Sequence, residues 1–356
     1  MNNPHTAGRS PRILIYRLGS LGDTVVALPS LRLIARAFPD AERWMLTNFS
    51  VSAKAAPLAE VLDGTGLVHG YIEYPIGLRD PRALSVLRRR LRSQGFQALV
   101  YLAAPRVRLK ALRDAVFFRS CGIPRLIGVP YRKDRQRPRL LQNGQYEYEG
   151  ARLLRCLSAL GWQDLDDPGA FDLSLSEEEH AAAARALTDL DPARPIIAAS
   201  IGAKDDVKDW GDDNWSSLFA RISQGRPEAQ LVLVGADIER ARSQALAAHW
   251  AGPAVNLCGR LSVRETAAVF ARARLFVGHD SGPMHLAAAV GTPCVAIFSS
   301  RNLPGEWFPC GKQHRVFYTE MECQGCLLSH CPERGRACIR SIAVNDVLKT
   351  VYSLID

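Results

Sequence analysis

Short apolar strand candidates alternate with amphipathic stretches of helical period from residue 13 to the end of the chain, and this pattern admits little besides a parallel α/β architecture. The first series places strands at 13–16, 44–47, 68–74, 98–102 and 125–129, with helices at 24–37, 53–62, 81–94, 106–120 and 147–160. Each strand is short and nearly continuous in apolar residues, as a sheet covered by helices on both faces requires. A Gly, Pro and Asp-rich stretch at 161–175 interrupts the alternation, and a helix at 177–189 follows it. A second series then runs through strands at 196–200, 230–234, 254–257, 275–277 and 294–298, with helices at 213–223, 238–250, 263–273, 283–290 and 344–355. At about 150 residues per domain, 356 residues make two domains. The expected limits are 1–170 and 171–342, with a last helix in 343–356 that could return across the first domain. Two Rossmann-like halves would face each other across a cleft at the carboxyl ends of both sheets.

Charge is unevenly spread along this frame. Between Arg79 and Arg139 stand 17 Lys or Arg and only three Asp, although the whole chain carries +9. Such a field suits an anionic partner: a phosphorylated glycolipid, a membrane surface or nucleic acid. The other reading is a solvated helix face, since Arg88, Arg89, Arg90 and Arg92 share one expected helix. No aromatic residue interleaves this run as a base-stacking platform would need, so nucleic acid is the weaker partner. No window reaches 18 apolar residues and the first twelve residues lack the apolar core of a signal peptide, so a cytoplasmic location is expected.

Four segments carry chemistry. The first runs Arg17-Leu-Gly19-Ser20-Leu-Gly22-Asp23-Thr24, a strand passing through a glycine loop into a helix. Gly19, Ser20 and Gly22 permit close backbone approach, and a helix start offers unpaired amides to an anion or sugar. The leading glycine of the dinucleotide fingerprint is absent, as is the acid that would hold a ribose after the second strand. Asp23 reads either as the N-cap of a helix beginning at Thr24 or as a general base at the mouth of the cleft. The second segment, from Gly278 through His279, Asp280, Ser281, Gly282 and Pro283 to His285, joins a strand to a helix and reads as a diphosphate cradle. The third places Lys204 and Lys208, the latter two residues before Trp210, beyond the first strand of the second domain. Lys208 is the better candidate to neutralise a leaving diphosphate without a metal, with Lys204 in reserve. The fourth is the spacing Cys323, Cys326, Cys331, Cys338, which leaves a structural zinc or iron site and free thiols as its two readings.

Taken together, the R-L-G-S-L-G-D-T motif, the Lys208-x-Trp210 pair and G-H-D-S-G-P-M-H resemble glycosyltransferase family 9, the ADP-heptose:lipopolysaccharide heptosyltransferases and their relatives. The resemblance implies a GT-B fold with the acceptor on the first domain and the nucleotide sugar on the second. It implies inverting, metal-independent transfer of a heptose or related sugar from an ADP-sugar to a lipopolysaccharide core or other cell-surface glycan. No catalytic cofactor and no nucleic acid would be required, and contact with the inner face of the cytoplasmic membrane would be peripheral. By position, Asp23 matches the family's proposed base, Lys208 its phosphate-contacting lysine, and Asp280, Ser281 and Gly282 its D-[ST]-G loop, with His285 one helical turn inside. Asp237 or Glu239, after the next strand, would hold the ribose. The cysteine spacing also recurs in that family. The sequence departs at Asp209 and Gly211, where relatives often carry Arg and Pro, and at His279, which replaces a frequent Asn. A sugar-nucleotide epimerase on the same twin-domain fold and a non-catalytic anionic-glycolipid-binding protein are the alternatives.

Overall fold

The computed structural model describes residues 10–48, 58–74, 80–105 and 107–355. The first domain holds β1 (Arg12–Tyr16), α1 (Leu21–Val26), α2 (Leu28–Ala37), β2 (Glu42–Thr47), α3 (Leu58–Leu62) and β3 (Gly70–Glu73). It continues through α4 (Pro81–Ser93), β4 (Ala98–Tyr101), α5 (Arg108–Ser120), β5 (Arg125–Ile127), α6 (Lys133–Gln136) and α7 (Glu149–Cys156). All pairings are parallel, in the order β3-β2-β1-β4-β5. The order reverses direction beside β1, so the loop after β1 sits at the switch point where open α/β sheets hold ligands.

After α8 (Glu177–Ala186) the second domain builds β6 (Ile196–Ser200), α9 (Asp212–Gly225), β7 (Gln230–Leu233), α10 (Arg240–Ala247), β8 (Ala254–Asn256), α11 (Val263–Phe270) and β9 (Leu275–His279). It closes with α12 (Gly282–Ala289), β10 (Cys294–Phe298), β11 (Arg315–Tyr318), α13 (Ala337–Arg340) and α14 (Val344–Ile355). Its six strands are again parallel, ordered β11-β10-β9-β6-β7-β8. The chain therefore forms the expected pair of Rossmann-like units. One apolar core runs from β1 and α2 through Leu173 and Ala183 to Ala198, Phe276 and Leu286, so it is shared between the domains.

Several expectations are corrected. The helix assigned to 24–37 begins three residues earlier and breaks at Ala27, because Pro29 has no N–H with which to continue the ladder. Of the helix expected at 53–62, residues 53–57 lie outside the described residues and the rest forms α3. Edge strand β11 was not anticipated, since its apolar run is brief and only half buried. The final helix does not return across the first domain. α14 lays Val347, Leu348 and Val351 on the apolar layer containing Trp215, Leu218 and Ile297, and Tyr352 Oη donates to the Arg221 carbonyl at 2.8 Å.

The domains meet closely at two glycines. A Cβ on Gly22 would lie 2.9 Å from the His285 ring, and one on Gly282 would lie 2.6 Å from Leu21 Cδ2 and 2.9 Å from Leu21 Cβ. Only glycines let the amino-terminal turns of α1 and α12 abut. Farther out, the Tyr146 and Glu149 amides donate to the Pro304 and Glu306 carbonyls at 2.7 and 2.9 Å. Buried Arg264 on α11 donates to the carbonyls of Val61 (3.2 Å), Leu173 (2.9 Å) and Ser174 (3.0 Å) while pairing with Glu179. Gly282→Val should overpack the α1–α12 junction and cost about 1–3 kcal/mol of stability, read as a lowered Tm. An unchanged Tm would show that the junction is not close-packed.

Candidate functional site

A cleft of about 1070 Å³ opens between the two glycine-rich junctions. From the first domain it is lined by Ser20, Gly22, Asp23 and Glu60. From the second it takes Lys204, Lys208, Asp237 and Glu239, together with Asp280, Ser281, Gly282 and His285. Gly19 lies behind this surface, where a Cβ would come within 2.4 Å of Asp23 Cβ.

Asp23 is not the N-cap. Ser20 occupies that position and Asp23 is the third residue of α1, its Oδ2 accepting from Ser20 N and Ser20 Oγ, both at 2.8 Å. The arrangement is half of a capping box, which satisfies an orphan donor and suits a negative charge at the positive helix end. Arg17 Nη2 donates to the Asp23 carbonyl at 2.5 Å and stands 3.5 Å from Oδ1. Burial lowers the Arg17 pKa below its ordinary value, partly offset by the Asp23 carboxylate. One Asp23 oxygen is thus committed to Ser20. The other, held only at the edge of ion-pair distance, keeps lone pairs for the cleft. Arg17 was not singled out from sequence; as a charged residue ending a buried strand it could have been.

On the opposite wall, Lys208 Nζ pairs with Asp280 Oδ2 at 2.8 Å and donates to the Asp280 carbonyl at 3.1 Å. Asn302 Nδ2 donates to the same Asp280 oxygen at 3.0 Å. Lys208 is therefore tethered at the first turn of α12. Ser281 is the N-cap of α12, yet its Oγ makes no cap bond, and it is buried without a partner among the described residues. A buried unpaired hydroxyl beside helix-end amides is a ready donor to an anion. Lys204 is exposed at the cleft.

The two acids after β7 separate cleanly. Asp237 is 77% exposed and pairs with Arg240 at 2.8 Å. Glu239 folds back so that its Oε2 accepts from the Ala236 amide at 2.8 Å, and a Cβ on Gly202 would sit 1.7 Å from its Oε1. Glu239 thus closes over the ends of β6 and β7, facing the cleft.

The three departures from the family pattern form one local solution. Arg242 Nη2 donates to both Asp209 oxygens at 2.9 and 3.0 Å. Burial would raise the Asp209 pKa, but the Arg242 contacts outweigh it and hold the carboxyl below its usual range. Gly211 N donates to Asp209 Oδ1 at 3.1 Å, and Gly211 has φ +101°, which proline cannot adopt. His279 Nε2 accepts the Trp210 amide at 3.1 Å. Together they fix the Lys208 loop.

The four cysteines do not assemble. No group of three or more His, Cys, Asp or Glu that could hold a metal occurs among the described residues, and all nine thiols are free. Cys338 is buried in α13 beside Ile339, whereas Cys323, Cys326 and Cys331 are half-exposed in the preceding loop. Backbone amides of Arg336 and Arg334 lower the Cys331 pKa. The arrangement of these cysteines gives no support to a bound metal.

These features define a two-domain protein of GT-B type with a polar cleft at the facing sheet ends. The family model for glycosyltransferase family 9 (heptosyltransferase) matches residues 86–336, and the chain belongs to this family. It is 32% identical over 145 residues to lipopolysaccharide heptosyltransferase 1 of Pseudomonas aeruginosa, a stretch covering 41% of this chain and 40% of that protein. The match to lipooligosaccharide heptosyltransferase 2 of Campylobacter jejuni is 25% over 100 residues, 28% of this chain and 31% of that one. The aligned stretches thus span well under half of these curated relatives. In fold, a family 9 glycosyltransferase from Veillonella parvula superposes with TM-score 0.72 at 18% identity over 97% of both chains. Escherichia coli ADP-heptose lps heptosyltransferase II does so with TM-score 0.64 at 19% identity, over 97% of this chain and 98% of that one.

Burial pushes the pKa values of His279, His285 and His314 down to about 4. His279 accepts a backbone N–H, as does His314 Nδ1 from Cys294 (3.1 Å), so protonation would set donor against donor. Unfolded histidine titrates near 6.5, so the unfolded chain binds more protons between about pH 6.5 and 4. Stability should be full above pH 6.5 and fall as pH drops toward 4. His279→Gln, which keeps an acceptor but cannot titrate, should flatten the decline of Tm; parallel curves for the two proteins would remove His279 from that dependence.

Proposed function

We propose that the chain transfers a heptose or related sugar from an ADP-sugar to a lipopolysaccharide core or similar glycan acceptor, with inversion and without a metal. The observation that carries this reading is the single cleft lined by the Asp23 carboxylate from one domain and by Lys208, Ser281 and the α12 amino terminus from the other. Family membership and the ADP-heptose named for one structural neighbour support the donor. In this reading Asp23 takes the acceptor proton as its oxygen attacks the anomeric carbon from the side opposite the diphosphate. The C–O bond to diphosphate breaks as the new glycosidic bond forms. Lys208, the Ser281 hydroxyl and the α12 amides receive the departing charge, a preorganised arrangement worth about 100–1,000-fold per donor. Glu239 holds the ribose hydroxyls, and Asp237, committed to Arg240, does not. The protein would work on the cytoplasmic side of the inner membrane, touching it peripherally. No helix among the described residues is long and apolar enough to cross a membrane.

Asp23→Asn should lower transfer at least ~100-fold while leaving ADP affinity by calorimetry within twofold. Normal turnover by this variant would eliminate the base role. Glu239→Gln should weaken ADP binding about tenfold or more, against little change for Asp237→Asn; the reverse ranking would reassign the ribose. Transfer should persist in excess EDTA, and product formed without acceptor would point instead to epimerisation.

A further inference from the structure

Helix α5 has two apolar faces, and among the described residues only one of them is covered. Ala111, Ala115 and Phe118 are buried against the first sheet. On the other side Leu109 is 79% exposed, Leu112 49% and Val116 62%. Spaced three and four residues apart, they form one continuous outward stripe. Isolated exposed leucines are ordinary, but an aligned row on one helix is not. Arg108 and Arg119 border the stripe on one side and Lys110 on the other, and all three are exposed. Arg108 and Lys110 form no ion pair among the described residues. Neighbouring α4, which contacts α5, adds exposed Arg88, Arg89, Arg90 and Arg92.

We infer that the outer face of α5, with the basic face of α4, seats the protein on an anionic lipid bilayer. Apolar side chains would enter the acyl boundary while Lys and Arg reach lipid phosphates, the balance by which amphipathic helices lie in a membrane interface. A second copy is a poor occupant, because each copy would bring the same cationic surface. RNA is also disfavoured: the outward apolar stripe of α5 is aliphatic and offers no stacking platform. The placement has a functional consequence. The amino end of α5 follows β4, and the Gly19–Asp23 loop follows parallel β1, so both lie at the same edge of the sheet. Tyr131, Leu140 and Leu141, in the segment after adjacent β5, are also exposed. Docking there would bring the acceptor side of the cleft to the lipid surface. This deepens the proposed function, on which it rests for its use of a lipid-linked acceptor.

The test is flotation of the full chain with vesicles of phosphatidylcholine alone or with 30% phosphatidylglycerol (about that fraction suffices to give a strongly negative surface). Wild-type protein should bind the anionic vesicles, release in high salt, and ignore the neutral ones. L109S/L112S/V116S and R108E/K110E should each bind at least ~10-fold more weakly, with unchanged Tm and unchanged ADP affinity by calorimetry. Wild-type failure to bind anionic vesicles, or undiminished binding by the serine variant, would overturn the inference. So would tight binding to single-stranded RNA that competes with vesicles, or a concentration-dependent dimer by ultracentrifugation that the serine variant abolishes. Transfer to an acceptor freed of its lipid should be equal in wild type and variants. Its absence in wild type would strike at the proposed function, leaving the docking result standing by itself.

Discussion

The close meeting of α1 and α12, with Gly22 under the His285 ring and Gly282 under Leu21, holds the two walls of the cleft together. Each helix starts at a glycine-rich turn after a central strand of its own sheet, and each presents a glycine, Gly22 or Gly282, to the other. Two positive helix ends would ordinarily repel. Asp23 lies in the first turn of one, and the Lys208–Asp280 pair sits at the start of the other. The Asp23 carboxylate and the amino terminus of α12 thus come to share one cleft because Gly22 leaves room for the His285 ring and Gly282 for the Leu21 side chain.

Around this junction, buried charge is used to position loops. Arg17 is enclosed and spends its donors on the Leu102 and Asp23 carbonyls. Fully buried Arg152 pairs with Glu149 at 2.6 Å and reaches the Ala103 carbonyl at 3.0 Å. Such pairs are weak contributors to net stability but costly to break singly, about 3–5 kcal/mol, so they enforce one geometry. Arg242 and Asp209 do the same for the segment carrying Lys208. The catalytic reading needs this stiffness, since charge stabilisation by fixed donors works only if they do not reorganise during the reaction.

Much of this was legible in the sequence because strand period and glycine placement are local. The two alternating series, the Gly19–Asp23 and Gly278–Pro283 junctions and the cleft between them could all be read from residue order. What could not be read depended on partners distant in the chain. The sequence places the helix start at Thr24, three residues late, because Leu21 and Gly22 do not announce a first turn; in the structure both pack against α12. Glu239 and Asp237 were indistinguishable until Arg240 and Gly202 took sides. Asp209, Gly211 and His279 looked like unrelated departures, yet they meet around the Trp210 backbone. The cysteine spacing suggests a cluster, yet no metal-holding group forms among the described residues: Cys338 is buried in α13 while Cys323, Cys326 and Cys331 are half-exposed in the loop.

A crystal structure with a non-transferable ADP-sugar would fix the donor in the cleft. The diphosphate should lie within about 3 Å of Ser281 Oγ and the α12 amides, with the anomeric carbon turned toward Asp23. A nucleotide seated on the first sheet, or an anomeric carbon facing away from Asp23, would contradict that arrangement.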